Sequence, residues 1–212
     1  MKFYGYYRSS AAYRCRIAFN LKGLAPDLVP VHLRLGEQRS DTYRSVNPQE
    51  LVPSLDIGTR VLTQSLAIIE WLEETHPEPP LLPGDPEARA EVRAFALAVA
   101  ADIHPLNNLR VLQYLKGPLG QDQAAIDAWY RHWVETGLAA CEALVVKGGR
   151  RGPYCFGDSP TLADLCLVPQ LYNARRFNAD LSGCPNLVAI DAHCATHPAF
   201  ANAAPDVQPD AE

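Results

Sequence analysis

The chain has 212 residues, 48% hydrophobic and 20% charged, with a formal net charge of −5. That length allows one large domain or two small ones with a sizeable core. The acidic balance and the lack of a basic cluster argue against a nucleic-acid partner. No apolar run approaches membrane-spanning length, and the start MKFYGYYRSS lacks the apolar core of a signal peptide. Six cysteines (15, 141, 155, 166, 184, 194) form no C-x-x-C pair and no ligand grouping with the six histidines. No metal site is therefore expected, and the thiols read as reduced core residues of a cytoplasmic protein.

Lys2 to Tyr6 mixes Phe and Tyr and reads as a short strand. After the turn at Arg8-Ser9-Ser10, the spacing of Tyr13, Ile17 and Leu21 predicts a helix. Ser9 or Ser10 suits its N-cap and Lys22-Gly23 its stop. Leu28 to Leu33 is a second strand, which Pro30 assigns to an edge or a bulge. Gly36 to Val46 is polar and reads as a loop with a short helix.

The stretch Asn47 to Leu72 is the densest in signals. Leu51 to Ile57 alternates apolar and polar around Pro53, Gly58 punctuates a turn, and Arg60 to Thr63 reads as the return strand of a hairpin. Gln64-Ser65 then precedes Leu66, Ile69 and Leu72 at helical spacing. Ser65 thus stands at a helix N-terminus, where free N–H groups and the helix dipole favour a carboxylate. Pro53 permits a cis bond that would leave the N–H and C=O of Val52 open to an extended ligand. Spacing alone favours the plainer alternative, in which Ser65 only caps and Pro53 only starts a strand.

Five prolines between Pro77 and Pro86 exclude a helix or a central strand and mark a semi-rigid linker. Beyond it the pattern is helical: Glu87 to Leu115, interrupted at Pro105, and Gln121 to Lys147, stopped by Gly148-Gly149. Thr161-Leu162-Ala163-Asp164 is a Thr-x-x-Asp capping box opening a helix to about Phe177, with Pro169 expected to kink it. Pro185 suits the first turn of a last helix ending before Pro198, and the tail after Ala203 reads as frayed. The expected organisation is an α/β domain over residues 1–80 and an all-α domain over residues 86–212.

This layout, with its Val-Pro and Gln-Ser ligand face, resembles a soluble glutathione transferase: a thioredoxin-like N-terminal domain followed by an all-helical C-terminal domain. The run Arg8-Ser9-Ser10-Ala11-Ala12-Tyr13-Arg14-Cys15-Arg16-Ile17-Ala18 is similar to the first-helix motif of the zeta class. Ala163 to Gln170 and Asn173-Ala174-Arg175-Arg176-Phe177 are similar to its second-domain signature. The class has Cys and Ser where this chain has Ala11 and Ala12, which excludes a mechanism that needs an enzyme thiol at that spot.

The resemblance implies glutathione as cofactor, a homodimer, and cofactor contacts at Ser9, Ser10, Gln38, Val52, Gln64, Ser65, His104 and Asn108. The plainer reading of His104 is a core or surface histidine. The implied reaction is cis–trans isomerisation of maleylpyruvate or maleylacetoacetate to the fumaryl isomer, in aromatic-compound degradation. Ser9, Ser10 and Arg8 would serve catalysis, and Arg8, Arg110 and Arg176 would hold the small unsaturated keto diacid, because a planar guanidinium meets a carboxylate with two parallel bonds. The alternatives are a general transferase conjugating or dehalogenating small electrophiles such as α-halo acids, and a non-catalytic partner-binding domain.

Overall fold

The computed structural model describes residues 1–149 and 152–212. They form two compact units, Met1–Leu81 together with Ala195–Glu212, and Leu82–Cys194. The segment Ala195–Glu212, expected to belong to the helical domain, is thus grouped with the first unit.

The first unit runs β1 (Lys2–Gly5), α1 (Ser10–Leu21), β2 (Asp27–Pro30), α2 (Asp41–Val46), β3 (Ser54–Asp56), β4 (Val61–Thr63) and α3 (Ser65–Thr75). This is the element order expected from the sequence. The sheet order is β2-β1-β3-β4, with β1 parallel to β2 and antiparallel to β3. Pro30 therefore lies on an edge strand, where its missing N–H costs no ladder bond. Phe3 of β1 meets Phe19 of α1 edge to face at 5.1 Å, and Ile17, Leu55, Ile68, Ile69 and Leu72 complete a buried core.

Further expectations need correction, beginning with the second strand, foreseen over Leu28 to Leu33 and found at Asp27–Pro30. The strand foreseen over Leu51 to Ile57 is confined to Ser54–Asp56. Pro53 has no N–H to give the ladder, and the Leu51 carbonyl is taken by two side chains, Tyr43 Oη at 2.6 Å and Asn47 Nδ2 at 2.7 Å. The tail, foreseen as frayed, is held instead. Asp210 Oδ2 accepts the Tyr7 amide at 2.9 Å, Glu212 pairs with His32 and Arg34, and Pro205–Val207 forms a 3-10 turn. Polar contacts at single residues hold it, so no hydrophobic period announces it.

The proline-rich segment is anchored within the same unit. Lys22 Nζ, with a fully buried side chain, donates to Glu73 Oε2 at 2.7 Å and to the carbonyls of Pro77 and Pro79. Both Glu73 oxygens accept the Leu81 amide.

The second unit is helical: α4 (Pro86–Leu97), α5 (Leu109–Lys116), α6 (Gln123–Lys147), α7 (Leu162–Arg176) and α8 (Pro185–Cys194); α9 (Pro198–Ala201) belongs to the first unit. Between α4 and α5 the chain widens to a π-helical turn, Ala98–Ile103, and tightens to a 3-10 turn, His104–Asn107. The capping box opening α7 is present. Buried Asp164 accepts from the Thr161 amide and hydroxyl and from the Cys155 amide. Among the described residues no helix is long and apolar enough to cross a membrane.

Candidate functional site

Strand register brings the candidate loops of the first unit to one end of its sheet. Tyr4 of β1 pairs with Ser54, and Ser54 with Thr63. The turn after β1 (residues 6–9), the segment before β3 (51–53) and the start of α3 (64–65) therefore share that end. Because β2 runs parallel to β1, the segment after β2, which carries Gln38, leaves there too. Ligands of such sheets settle beyond the strand ends, where loops and helix N-termini converge.

Ser9 is the N-cap of α1. Its Oγ accepts the Ala12 amide at 3.2 Å, and its own amide donates to Tyr6 O at 2.9 Å. Ser10 is buried in the first turn. Arg8 lies over the Tyr7 ring, 5.2 Å from its centroid, with Nη2 3.5 Å from Tyr6 Oη.

The Val52–Pro53 bond is cis. Val52 is buried in a cluster with Tyr6, Tyr7, Val31 and Tyr43, yet among the described residues neither its N–H nor its C=O meets a hydrogen-bond partner. Tyr43 fixes the segment on both sides, donating to Leu51 O and lying 3.1 Å from Ser54 Oγ. Burial raises the Tyr43 phenol pKa, which keeps it a donor. Gln38 is buried with Oε1 unpartnered among the described residues.

α3 begins unusually. Its N-cap residue is Gln64 at φ +69°, with no side-chain cap and no acidic residue in the first turn. The Gln64 side chain instead donates to Gln49 Oε1 at 3.0 Å. The first-turn amides are thus left without the usual internal partners. Ser65, first residue of the helix, is buried and receives Arg14 Nη1 on its hydroxyl at 3.4 Å. Cys15 Sγ donates to the Ser65 carbonyl at 3.8 Å. Sequence reasoning named neither Arg14, Tyr43 nor Asn47 as site residues. Nothing in their spacing marks them, and burial alone distinguishes Arg14.

In the second unit, Asn108 caps α5, its Oδ1 accepting the Arg110 amide at 3.1 Å. His104 sits in the preceding 3-10 turn, and buried Asn107 beside it has both side-chain atoms unpartnered among the described residues. Arg110 and Arg176 are exposed and form no ion pair among the described residues; Arg176 lies 5.6 Å from the Phe177 ring centroid. By contrast Arg175 is paired with Asp191 at 2.6 Å. In the first unit Arg16 is committed to the carbonyls of Ala203, Tyr6 and Tyr7.

Comparison with known proteins identifies the family. Residues 3–80 match the glutathione S-transferase N-terminal domain, and residues 123–201 match the C-terminal domain. The chain belongs to the glutathione S-transferase family. A maleylpyruvate isomerase from a Ralstonia species is 51% identical over 210 residues, 99% of each chain. A solved holo structure of a maleylpyruvate isomerase, described as a bacterial glutathione S-transferase of the zeta class, superposes with a TM-score of 0.98 at 51% identity, covering 100% of both chains. A maleylacetoacetate isomerase from Anaeromyxobacter dehalogenans with glutathione in its active site is 44% identical, with a TM-score of 0.89 over 100% of this chain and 97% of that one. As a glutathione S-transferase, this chain has the family's thioredoxin-like unit with a four-stranded sheet, followed by its helical unit.

Proposed function

We propose that this transferase is a glutathione-dependent cis–trans isomerase converting maleylpyruvate, or its longer homologue maleylacetoacetate, to the fumaryl isomer. The observation that carries the reading is Val52: a buried residue whose two backbone groups meet no partner among the described residues, at the sheet end shared by Ser9 and Ser65. Leaving them so is costly unless an extended ligand pairs with them, as the cysteinyl part of glutathione would. Isomerases of this reaction type among the similar proteins support the substrate class.

Bound glutathione supplies the thiolate whose reversible addition to the cis double bond permits rotation. The chain has no thiol of its own in the first-helix turn, since Ala11 and Ala12 stand there and Cys15 is buried against Ser65. The Ser9 hydroxyl would donate a hydrogen bond to the cofactor sulfur and so favour its ionised form. Ser10 supports the same turn. The amides opening α3, with Ser65 and Gln64, hold the γ-glutamyl carboxylate. Gln38, His104 and Asn108 complete the cofactor contacts. Arg8, Arg110 and Arg176 bind the diacid and stabilise the negative charge that develops on addition. Guanidinium groups on Arg110 and Arg176 that form no ion pair among the described residues favour that role over a structural one. The domain division at about residue 80, assembly as a homodimer and a cytoplasmic location are part of the same proposal, supported by the family resemblance; light scattering on the purified protein checks the dimer.

The test is to follow both substrates side by side with and without glutathione, titrating free thiol afterwards. Isomerisation that requires glutathione and leaves its concentration unchanged is expected. Stoichiometric loss of thiol, or equal rates without it, overturns the assignment.

A further inference from the structure

We infer that Arg14 is the fixed positive charge behind the carboxylate subsite at the start of α3, a positioning residue that orients the Ser65 hydroxyl and holds the α-carboxylate of the γ-glutamyl group. The inference rests on the glutathione reading above and extends it to a residue outside the ligand face.

Arg14 is 2% exposed, among the most buried large side chains of the protein. Its single polar contact is Nη1 to Ser65 Oγ at 3.4 Å, while Nε and Nη2 meet no partner among the described residues. A guanidinium does not lose its proton in a protein, so burial leaves a full charge that something must neutralise. Arg16, two residues on and also buried, shows how a structural arginine is satisfied here: three backbone carbonyls accept its donors. Among the described residues Arg14 has no such set and no carboxylate partner.

The charge is aimed at one place. The helix start it touches has no side-chain cap and no acidic residue in its first turn, so nothing within α3 offsets the positive end of the dipole. Gln64 at φ +69° turns the chain so that Ser65 opens the helix directly. A hydroxyl oxygen that accepts from a guanidinium presents its own hydrogen on another side, toward an incoming acceptor. Cys15, next to Arg14, fixes the Ser65 carbonyl, so α1 grips both the hydroxyl and the carbonyl of that residue. A buried cation, an uncapped helix N-terminus and an oriented hydroxyl together select a carboxylate.

The test compares glutathione with its analogue 4-aminobutyryl-cysteinyl-glycine, which lacks only the α-carboxylate, by calorimetric titration. In Arg14→Met, glutathione is expected to bind about tenfold or more weaker, as for a lost charged hydrogen bond, while affinity for the analogue changes little. Arg14→Lys restores part of the loss, and in Arg14→Met the KM for glutathione rises by a larger factor than kcat falls. Equal weakening of both ligands assigns Arg14 a purely structural role and overturns the inference, as does no weakening of either. Should Arg14→Met fail to fold, the wild-type protein decides: the analogue must bind at least about tenfold more weakly than glutathione, and near-equal affinities overturn the inference. Failure of the wild type to bind glutathione at all would instead remove the reading beneath it.

Discussion

Ser9 accepts the Ala12 amide on its Oγ at 3.2 Å, which leaves its own hydroxyl proton uncommitted among the described residues. One side chain can thus cap α1 and donate to a ligand at the same time, and the two roles separate by substitution. Ser9→Ala is expected to lose about 1 kcal/mol of stability, the usual worth of an N-cap, together with most turnover. Ser9→Asp keeps the cap but replaces the donor by a negative charge, so its melting temperature should stay near wild type while activity collapses. Thiolate absorbance of bound glutathione is the readout, and an undiminished signal in both variants would remove Ser9 from the chemistry.

The arginines give a second prediction. Arg8→Met, Arg110→Met and Arg176→Met keep bulk and remove charge, and at least one should lower kcat/KM by about 100-fold, the scale of a lost charged hydrogen bond, with glutathione binding retained. Near-normal turnover of both substrates in all three would sink the diacid assignment in favour of a general transferase.

Lys22 and Glu73 form a buried pair at 2.7 Å, with side-chain exposures of 0% and 10%. Lys22→Met strands the Glu73 carboxylate and the carbonyls of Pro77 and Pro79, which should cost about 3–5 kcal/mol. The double variant Lys22→Met with Glu73→Gln should recover part of that, and denaturant titration of the two checks it. Equal instability of single and double variants would mean the pair is not the source.

Gly137 lies inside α6, where alanine would normally gain up to about 1 kcal/mol of helix propensity. Here an added Cβ would sit 2.3 Å from Ile103 Cγ1 in the π-helical turn. Gly137→Ala is therefore expected to destabilise by about 1–3 kcal/mol through overpacking, and Ile103→Ala, which removes Cγ1, to make the two changes cost less together than the sum of each alone. A stabilised single variant in thermal melts would show that the turn yields at little cost.

The order of strands and helices in the first unit was legible because Gly23, Gly58, Pro30 and the run from Pro77 to Pro86 punctuate it, each restricting the backbone locally. Ser9 as a cap was legible for the same reason, since capping is a short-range interaction. Gln64 was not: a glutamine at positive φ is imposed by its surroundings and leaves no local signature. The arginines look alike in sequence, and only tertiary structure separates the buried Arg14 and Arg16 from the exposed Arg110 and Arg176. The docked tail was missed because polar contacts at single residues hold it, the Tyr7 amide on Asp210 and the pairs of Glu212 with His32 and Arg34.

All six cysteines are buried and free, and burial pushes the thiols of Cys155, Cys184 and Cys194 above their ordinary range and that of Cys141 up to about 12. Thiol exchange needs an accessible thiolate, which these groups do not offer in the folded chain. A protein devoted to handling a reactive sulfur is therefore deaf to that sulfur, and oxidised glutathione finds no foothold on it. The same silence makes the cysteines reporters: alkylation by a small reagent proceeds only when the structure opens around them. Mass spectrometry of each labelled position would then time the opening of the two units separately, with Cys15 standing for the first and the other five for the second.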